Sequence, residues 1–168
     1  ITIAGNWFYI TTDDSVMVLD MTDPLAPTVA KTIPMEDPRA TALQFRYLFV
    51  TVRDGLRVFD ATNPAAPVMV EGASVPLENA HKIYLARTYA YVAAGAQGIA
   101  IIDIRDPSKA ALHSTFNADG KIVDARDVIL GTTNASLFAY VADGAGGLKV
   151  VQLTSPDYTP GAFGFAVK

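Results

Sequence analysis

The sequence contains no cysteine. Disulfides, thiolate metal sites and covalent haem attachment are therefore excluded within these 168 residues. Basic residues are scarce: 13 Lys and Arg stand against 17 Asp and Glu, a formal net charge of −4. A nucleic-acid footprint or a polybasic membrane patch needs a clustered basic excess, so neither is expected. Long apolar runs are missing as well. The longest charge-free stretches, residues 88–102 and 128–142, carry glycine and polar side chains. They fall short of the about 20 apolar positions that a membrane-spanning helix needs. No segment holds an apolar period of about 3.6 residues for several turns, which excludes helical repeats. No secretory leader is legible, and the first residue is Ile1 rather than Met, so the protein's true beginning is expected upstream.

What is abundant is apolar surface. Hydrophobic residues make up 51% of the chain and charged residues only 18%, which is too apolar for disorder. Most elements must then be buried on more than one face.

The apolar residues recur in one grammar. An aromatic-rich run is followed by a turn, a second apolar run, a polar residue and a proline turn. The aromatic runs begin at Trp7, Tyr47, Tyr89 and Phe138, and the second runs end at Asp20, Asp60, Asp103 and Gln152. The landmark prolines Pro24, Pro64, Pro107 and Pro156 are spaced by 40, 43 and 49 residues. The last interval is lengthened by an insertion at residues 131–136. A period of this length with only strand signals predicts a four-stranded unit repeated radially.

Four strands, A to D, can be placed in each unit. Strand A is expected at residues 1–4, 41–45, 82–86 and 127–131. Strand B is the aromatic run and strand C the second run. Strand D follows the proline turn, at residues 28–33, 68–75 and 111–116. Asp54-Gly55 between B and C suits a type I′ turn, while Gly95 to Gly98 and Asp143 to Gly147 form longer versions. Proline cannot donate to a ladder, so it ends strand C. The Asp or Asn before it can accept from the backbone two residues on. Runs B and C are nearly continuous rather than alternating, as in strands covered on both faces.

At these residues the chain resembles the LVIVD-repeat family of β-propellers. The matching runs are Val18-Leu19-Asp20, Val58-Phe59-Asp60, Ile101-Ile102-Asp103 and Val150-Val151-Gln152, with Ala90-Tyr91-Val92-Ala93 and Ala139-Tyr140-Val141-Ala142 before the last two. The fourth departs by placing Gln152 where the others have Asp. The expected fold is all-β: a β-propeller of four four-stranded blades, at about residues 1–36, 37–78, 79–120 and 121–168. Four repeats are few for that family, so an arc of a larger propeller is expected. The resemblance implies an extracellular, cell-surface or periplasmic protein, and in some members association with multihaem cytochrome modules. It carries over no catalytic activity.

Strand A lines the central channel of a propeller. Counting back from the ends of the B runs puts Arg39 and His81 at one offset, and Arg126 joins them once the insertion is allowed for. This recurring basic position is the candidate binding site, for an anion or an acidic partner. The plainer reading is that each side chain bonds a neighbouring blade or a carboxylate such as Asp127. Other candidates read better as structure. Asp13-Asp14 and Asp143-Gly144 lack the spaced acids of a calcium loop. His81 and His113 lie in different repeats, and metal sites need three or four convergent ligands. Asn134-Ala135-Ser136 is a glycosylation sequon that matters only in a eukaryotic secretory context. No G-x-S-x-G, phosphate-binding glycine loop or H-E-x-x-H occurs.

The expectation is thus a non-catalytic binding or scaffolding module with no cofactor. Its partner is a protein or larger assembly, a multihaem cytochrome among the possibilities, with no nucleic acid and no membrane insertion. The alternatives are a structural accessory of an electron-transfer assembly, or an enzyme whose site lies on further blades.

Overall fold

The structure, a computed structural model, describes residues 1–133, 136–153 and 166–167. Four antiparallel sheets follow one another along the chain. The first is β1 (Thr2–Ala4), β2 (Trp7–Thr11), β3 (Ser15–Asp20) and β4 (Thr28–Pro34). The second is β5 (Pro38–Gln44), β6 (Tyr47–Val52) and β7 (Gly55–Asp60), with β8 (Val68–Met69) and β9 (Val75–Pro76) both paired to β7. The third is β10 (Ile83–Ala86), β11 (Tyr89–Ala93), β12 (Ile99–Asp103) and β13 (Ala111–Phe116). The fourth is β14 (Asp127–Thr132), β15 (Leu137–Ala142), β16 (Leu148–Gln152) and β17 (Ala166–Val167).

Each sheet is a meander, with sequence neighbours paired side by side. The first strands pack from sheet to sheet: β1 and β2 on β5, β5 on β10, β10 and β11 on β14. Sheets stacked in this radial order are the blades of a β-propeller, with the first strand of each innermost.

The turn between the third and fourth strands has the same cause in three blades. Asp20 Oδ1 accepts from the backbone N–H of Thr22 at 2.8 Å and from its hydroxyl at 2.6 Å. Asp60 does the same with Thr62, at 2.8 and 2.6 Å. Asp103 accepts from the Arg105 N–H at 3.0 Å. The residue before each proline repeats the device, Asp23 with Leu25, Asn63 with Ala65 and Asp106 with Ser108. A carboxylate that caps the backbone two residues on ends the strand at that point. Gln152 instead donates through Nε2 to the Ser136 hydroxyl at 3.1 Å.

Between the blades lie three apolar cores. Tyr9, Val16 and Val18 of the first blade meet Leu48, Val50 and Phe59 of the second. Phe49, Leu56 and Val58 of the second meet Ala90, Val92 and Ile102 of the third. Tyr91, Ile99 and Ile101 of the third meet Ala139, Val141 and Val151 of the fourth. Both faces of a middle blade are therefore covered, which accounts for the continuous apolar runs.

Several local expectations are corrected. Strand A of the second blade starts at Pro38 and ends at Gln44; Phe45 leaves it with a φ of 54° and is 91% exposed at the turn into β6. The outermost strand of that blade is split, because Glu71-Gly72 bends the chain away between β8 and β9. The Asp54-Gly55 turn is not type I′, since neither Arg53 nor Asp54 has positive φ. Gly55 is needed for another reason. Its φ is 148°, and a Cβ there would sit 2.2 Å from the Val75 carbonyl oxygen. Gly98 is alike, 2.2 Å from the Phe116 carbonyl oxygen. In both blades the outer strand crosses over the start of the third strand too closely for a side chain. The expected turn at Pro156, and Asn134 of the sequon, lie outside the described residues.

Candidate functional site at the mouth of the axis

The innermost strand of each blade begins where its second strand ends. The loops leading into β5, β10 and β14 therefore gather at one end of the axis. Arg39 is the second residue of β5. His81 and Arg126 stand just before β10 and β14, and each is held by its backbone. The His81 N–H donates to the Ala93 carbonyl at 2.8 Å, and the Arg126 N–H to that of Ala142 at 2.8 Å. The hydroxyl of buried Thr51 also donates to the His81 carbonyl, tying the second blade to the third.

This end brings the three predicted residues together. Arg39, His81 and Arg126, with Lys82, line one open cavity of 350 Å³. Arg39 Nη1 lies 3.3 Å from His81 Nδ1, and donates to Asn79 Oδ1 at 2.7 Å and the Ala80 carbonyl at 2.9 Å. The guanidinium of the second blade is thus fixed against the loop of the third. Lys82 was missed by counting repeats, because no other blade has a basic residue at its position. Its only sequence signal is adjacency to His81.

The carboxylates beside these cations are not the expected one. Arg39 Nη2 pairs with Asp37 at 3.1 Å, and Arg53 Nε reaches the same carboxylate at 2.7 Å. Arg126 Nε pairs with Asp124 at 2.8 Å. Asp127 instead accepts from the backbone N–H of Val128. Hydrogen bonds from Arg39 and then Arg53 hold the Asp37 carboxyl below its ordinary range. Asp124 is itself positioned by fully buried Asp143, whose Oδ1 accepts from the Val123 and Asp124 N–H groups at 2.9 and 2.6 Å. Lys82 makes no ion pair among the described residues.

His81 registers the balance of charge. Burial pushes its imidazole below the ordinary range, and the Arg39 and Arg126 guanidiniums push the same way, against Asp124 and Asp37. The mouth is therefore a site where positive charge outweighs the carboxylates present. Such a concavity favours a ligand with negative charge. His113 lies elsewhere, 5.5 Å from the Tyr89 ring. Among the described residues no group of three or more His, Asp or Glu side chains is placed to hold a metal ion.

A model of the LVIVD repeat matches residues 1–33, 42–73, 79–118 and 136–156. No curated protein matches the sequence. Two solved structures are similar in fold. One is a chain in the structure of a variant of S. cerevisiae Dbp5 bound to Nup159, a Gle1 variant, IP6 and ADP. It has a TM-score of 0.56 and 11% identity over 98% of this chain. The other is the N-terminal domain of Nup159, with a TM-score of 0.54 and 13% identity over 96% of this chain. Both neighbours have β-propeller folds. This chain spans 41% and 40% of their lengths.

Proposed function

The chain belongs to the LVIVD-repeat family, and on that premise we propose that it is a non-catalytic propeller module that binds an acidic segment of a protein partner at the mouth of its axis. The observation that carries the reading is the convergence of Arg39, His81, Lys82 and Arg126, from three successive blades, on one open cavity. Long-range contacts between repeats are what bring these side chains together, since they are 42 or more residues apart except for the adjacent pair. Arg39 is preorganised by Asp37, Asn79 and the His81 loop, so little side-chain freedom remains to be lost on binding. Lys82 and Arg126 are exposed and supply charge at the rim. One fold neighbour is seen in a protein assembly, Dbp5 bound to Nup159, which supports use of this architecture for protein contacts. An extracellular, cell-surface or periplasmic setting belongs to the same proposal and rests on the family alone.

The test is fluorescence anisotropy with a labelled hexaglutamate peptide. The expected result is salt-sensitive binding that weakens at least ~10-fold in the Lys82→Gln/Arg126→Gln double variant. No binding by the unaltered chain, or equal binding by the double variant, would overturn the reading.

A further inference from the structure

The turns between the first and second strands stand at the end of the axis opposite the mouth. In the first three blades the first residue of this turn has positive φ: Gly5 at 60°, Phe45 at 54° and Arg87 at 55°. Glycine takes this conformation freely, and a bulky side chain rarely does. The second blade nevertheless places phenylalanine there, and packing does not account for the choice. The ring is 91% exposed, although the second blade packs on a neighbour at either side.

Beside the ring lies an apolar recess. Together with Phe45, the residues Ala4, Tyr9, Leu43, Ala61 and Pro64 line an open cavity of 480 Å³ at the junction of the first and second blades. The Tyr9 hydroxyl is committed to the Pro64 carbonyl, so that wall offers carbon rather than a free donor. Cations stand around the recess. Arg46, the second residue of the turn, also lines it, and its side chain is 58% exposed with Asp60 3.6 Å away. The Gln44 Nε2 donates to the Arg87 carbonyl at 2.8 Å, which sets the turn of the third blade next to that of the second. Arg87 is exposed and makes no ion pair among the described residues.

We infer that Phe45 and this recess dock a segment of a partner protein that carries a large apolar side chain next to an Asp or Glu. The apolar side chain enters the recess against the Phe45 ring, and the carboxylate meets Arg46 or Arg87. An aromatic residue beside a water-excluding pocket supplies the anchor of such a contact, and the charges at its edge choose the partner. A strained turn persists where it presents a side chain for use. This surface is separate from the anion site, since the length of β5 lies between Arg39 and Phe45.

The test is a phage-displayed library of random dodecapeptides, depleted on the Phe45→Gly variant and then panned on the unaltered chain. The expected survivors share a large apolar residue adjacent to Asp or Glu. Made as free peptides, they bind Phe45→Gly at least ~10-fold more weakly than the parent. Arg87→Gln weakens them and lowers their salt dependence, and an excess of hexaglutamate does not displace them. Phe45→Gly melts at or above the temperature of the parent, because glycine relieves the turn. A library with no survivors, or survivors without the paired apolar and acidic residues, would overturn the inference. So would displacement by hexaglutamate, which places the peptides at the mouth, or a lowered melting temperature of Phe45→Gly, which marks the ring as structural.

Discussion

The hydroxyl of Tyr9 in the first blade donates to the backbone carbonyl of Pro64 in the second, 3.0 Å away. The two residues are 55 positions apart in sequence. Their bond ties the core of one blade to the turn that ends the third strand of the next. Burial also pushes the Tyr9 phenol above its ordinary range. Tyr9→Phe keeps the apolar ring and leaves the carbonyl without this donor. The expected cost is about 1 kcal/mol in chemical denaturation. Tyr9→Ala also opens a cavity in the first core and costs about 3–5 kcal/mol.

The close approach at Gly55 makes a second prediction. An alanine Cβ would collide with the Val75 carbonyl and would sit at a φ that side chains rarely adopt. Gly55→Ala is therefore destabilising by roughly 1–3 kcal/mol. Gly5→Ala shares the positive φ but meets nothing within 4 Å, so it is the milder change. Comparing the two melting temperatures checks the combined cost of collision and the φ of 148° at Gly55 against the milder φ of 60° at Gly5.

The capping carboxylates fix the acid limb of stability. Asp20, Asp60 and Asp103 are held below their ordinary range, first by side-chain bonds to Thr22, Thr62 and Arg105 and then by the backbone N–H groups of the same residues. A depressed folded pKa contributes stability that is present above the unfolded value, about 3.9. That contribution is lost as pH falls through the folded value. Asp60→Ala lowers the melting temperature at neutral pH and flattens its fall in acid. Asp60→Asn retains most of the neutral stability, because its side-chain oxygen still accepts from Thr62. Thermal melts across the acid range check both.

These carboxylates also show how far the sequence can be read. The second-residue acceptors before each proline were legible because an Asx turn is a contact between residues two apart. The ends of the third strands were legible from the repeat, but their cause was read as the proline, whereas the caps at Asp20, Asp60 and Asp103 end the strands before the proline is reached. The Gly55 turn was misread because its constraint comes from Val75, on a strand whose split at Glu71-Gly72 gives no periodic signal. Arg39, His81 and Arg126 could be grouped by repeat offset alone, since equivalent positions in a radial fold face one axis. Their carboxylates could not. Asp127, adjacent to Arg126, turns to its own strand, while Asp37 and Asp124 reach the cations from the loops before them.

His81 links stability to pH at the mouth. Its folded pKa is depressed, so it contributes stability that is present above the unfolded value near 6.5 and lost as pH falls through the folded one. His81→Gln removes this dependence, and the melting temperature of the variant changes less than that of the parent chain between about pH 7 and 5.

The central claim is that three cations from three blades, Arg39, Lys82 and Arg126, act as one anion site, and His81 among them is its reporter. Burial is the larger cause of the depressed His81 imidazole, and an acidic ligand seated beside Arg39, Lys82 and Arg126 offsets the part that the guanidiniums contribute. The most direct measurement is the NMR titration of the His81 ring protons with and without hexaglutamate. The expected result is that the peptide raises the His81 pKa and binds more tightly as pH falls. A His81 titration that the peptide does not shift would contradict it.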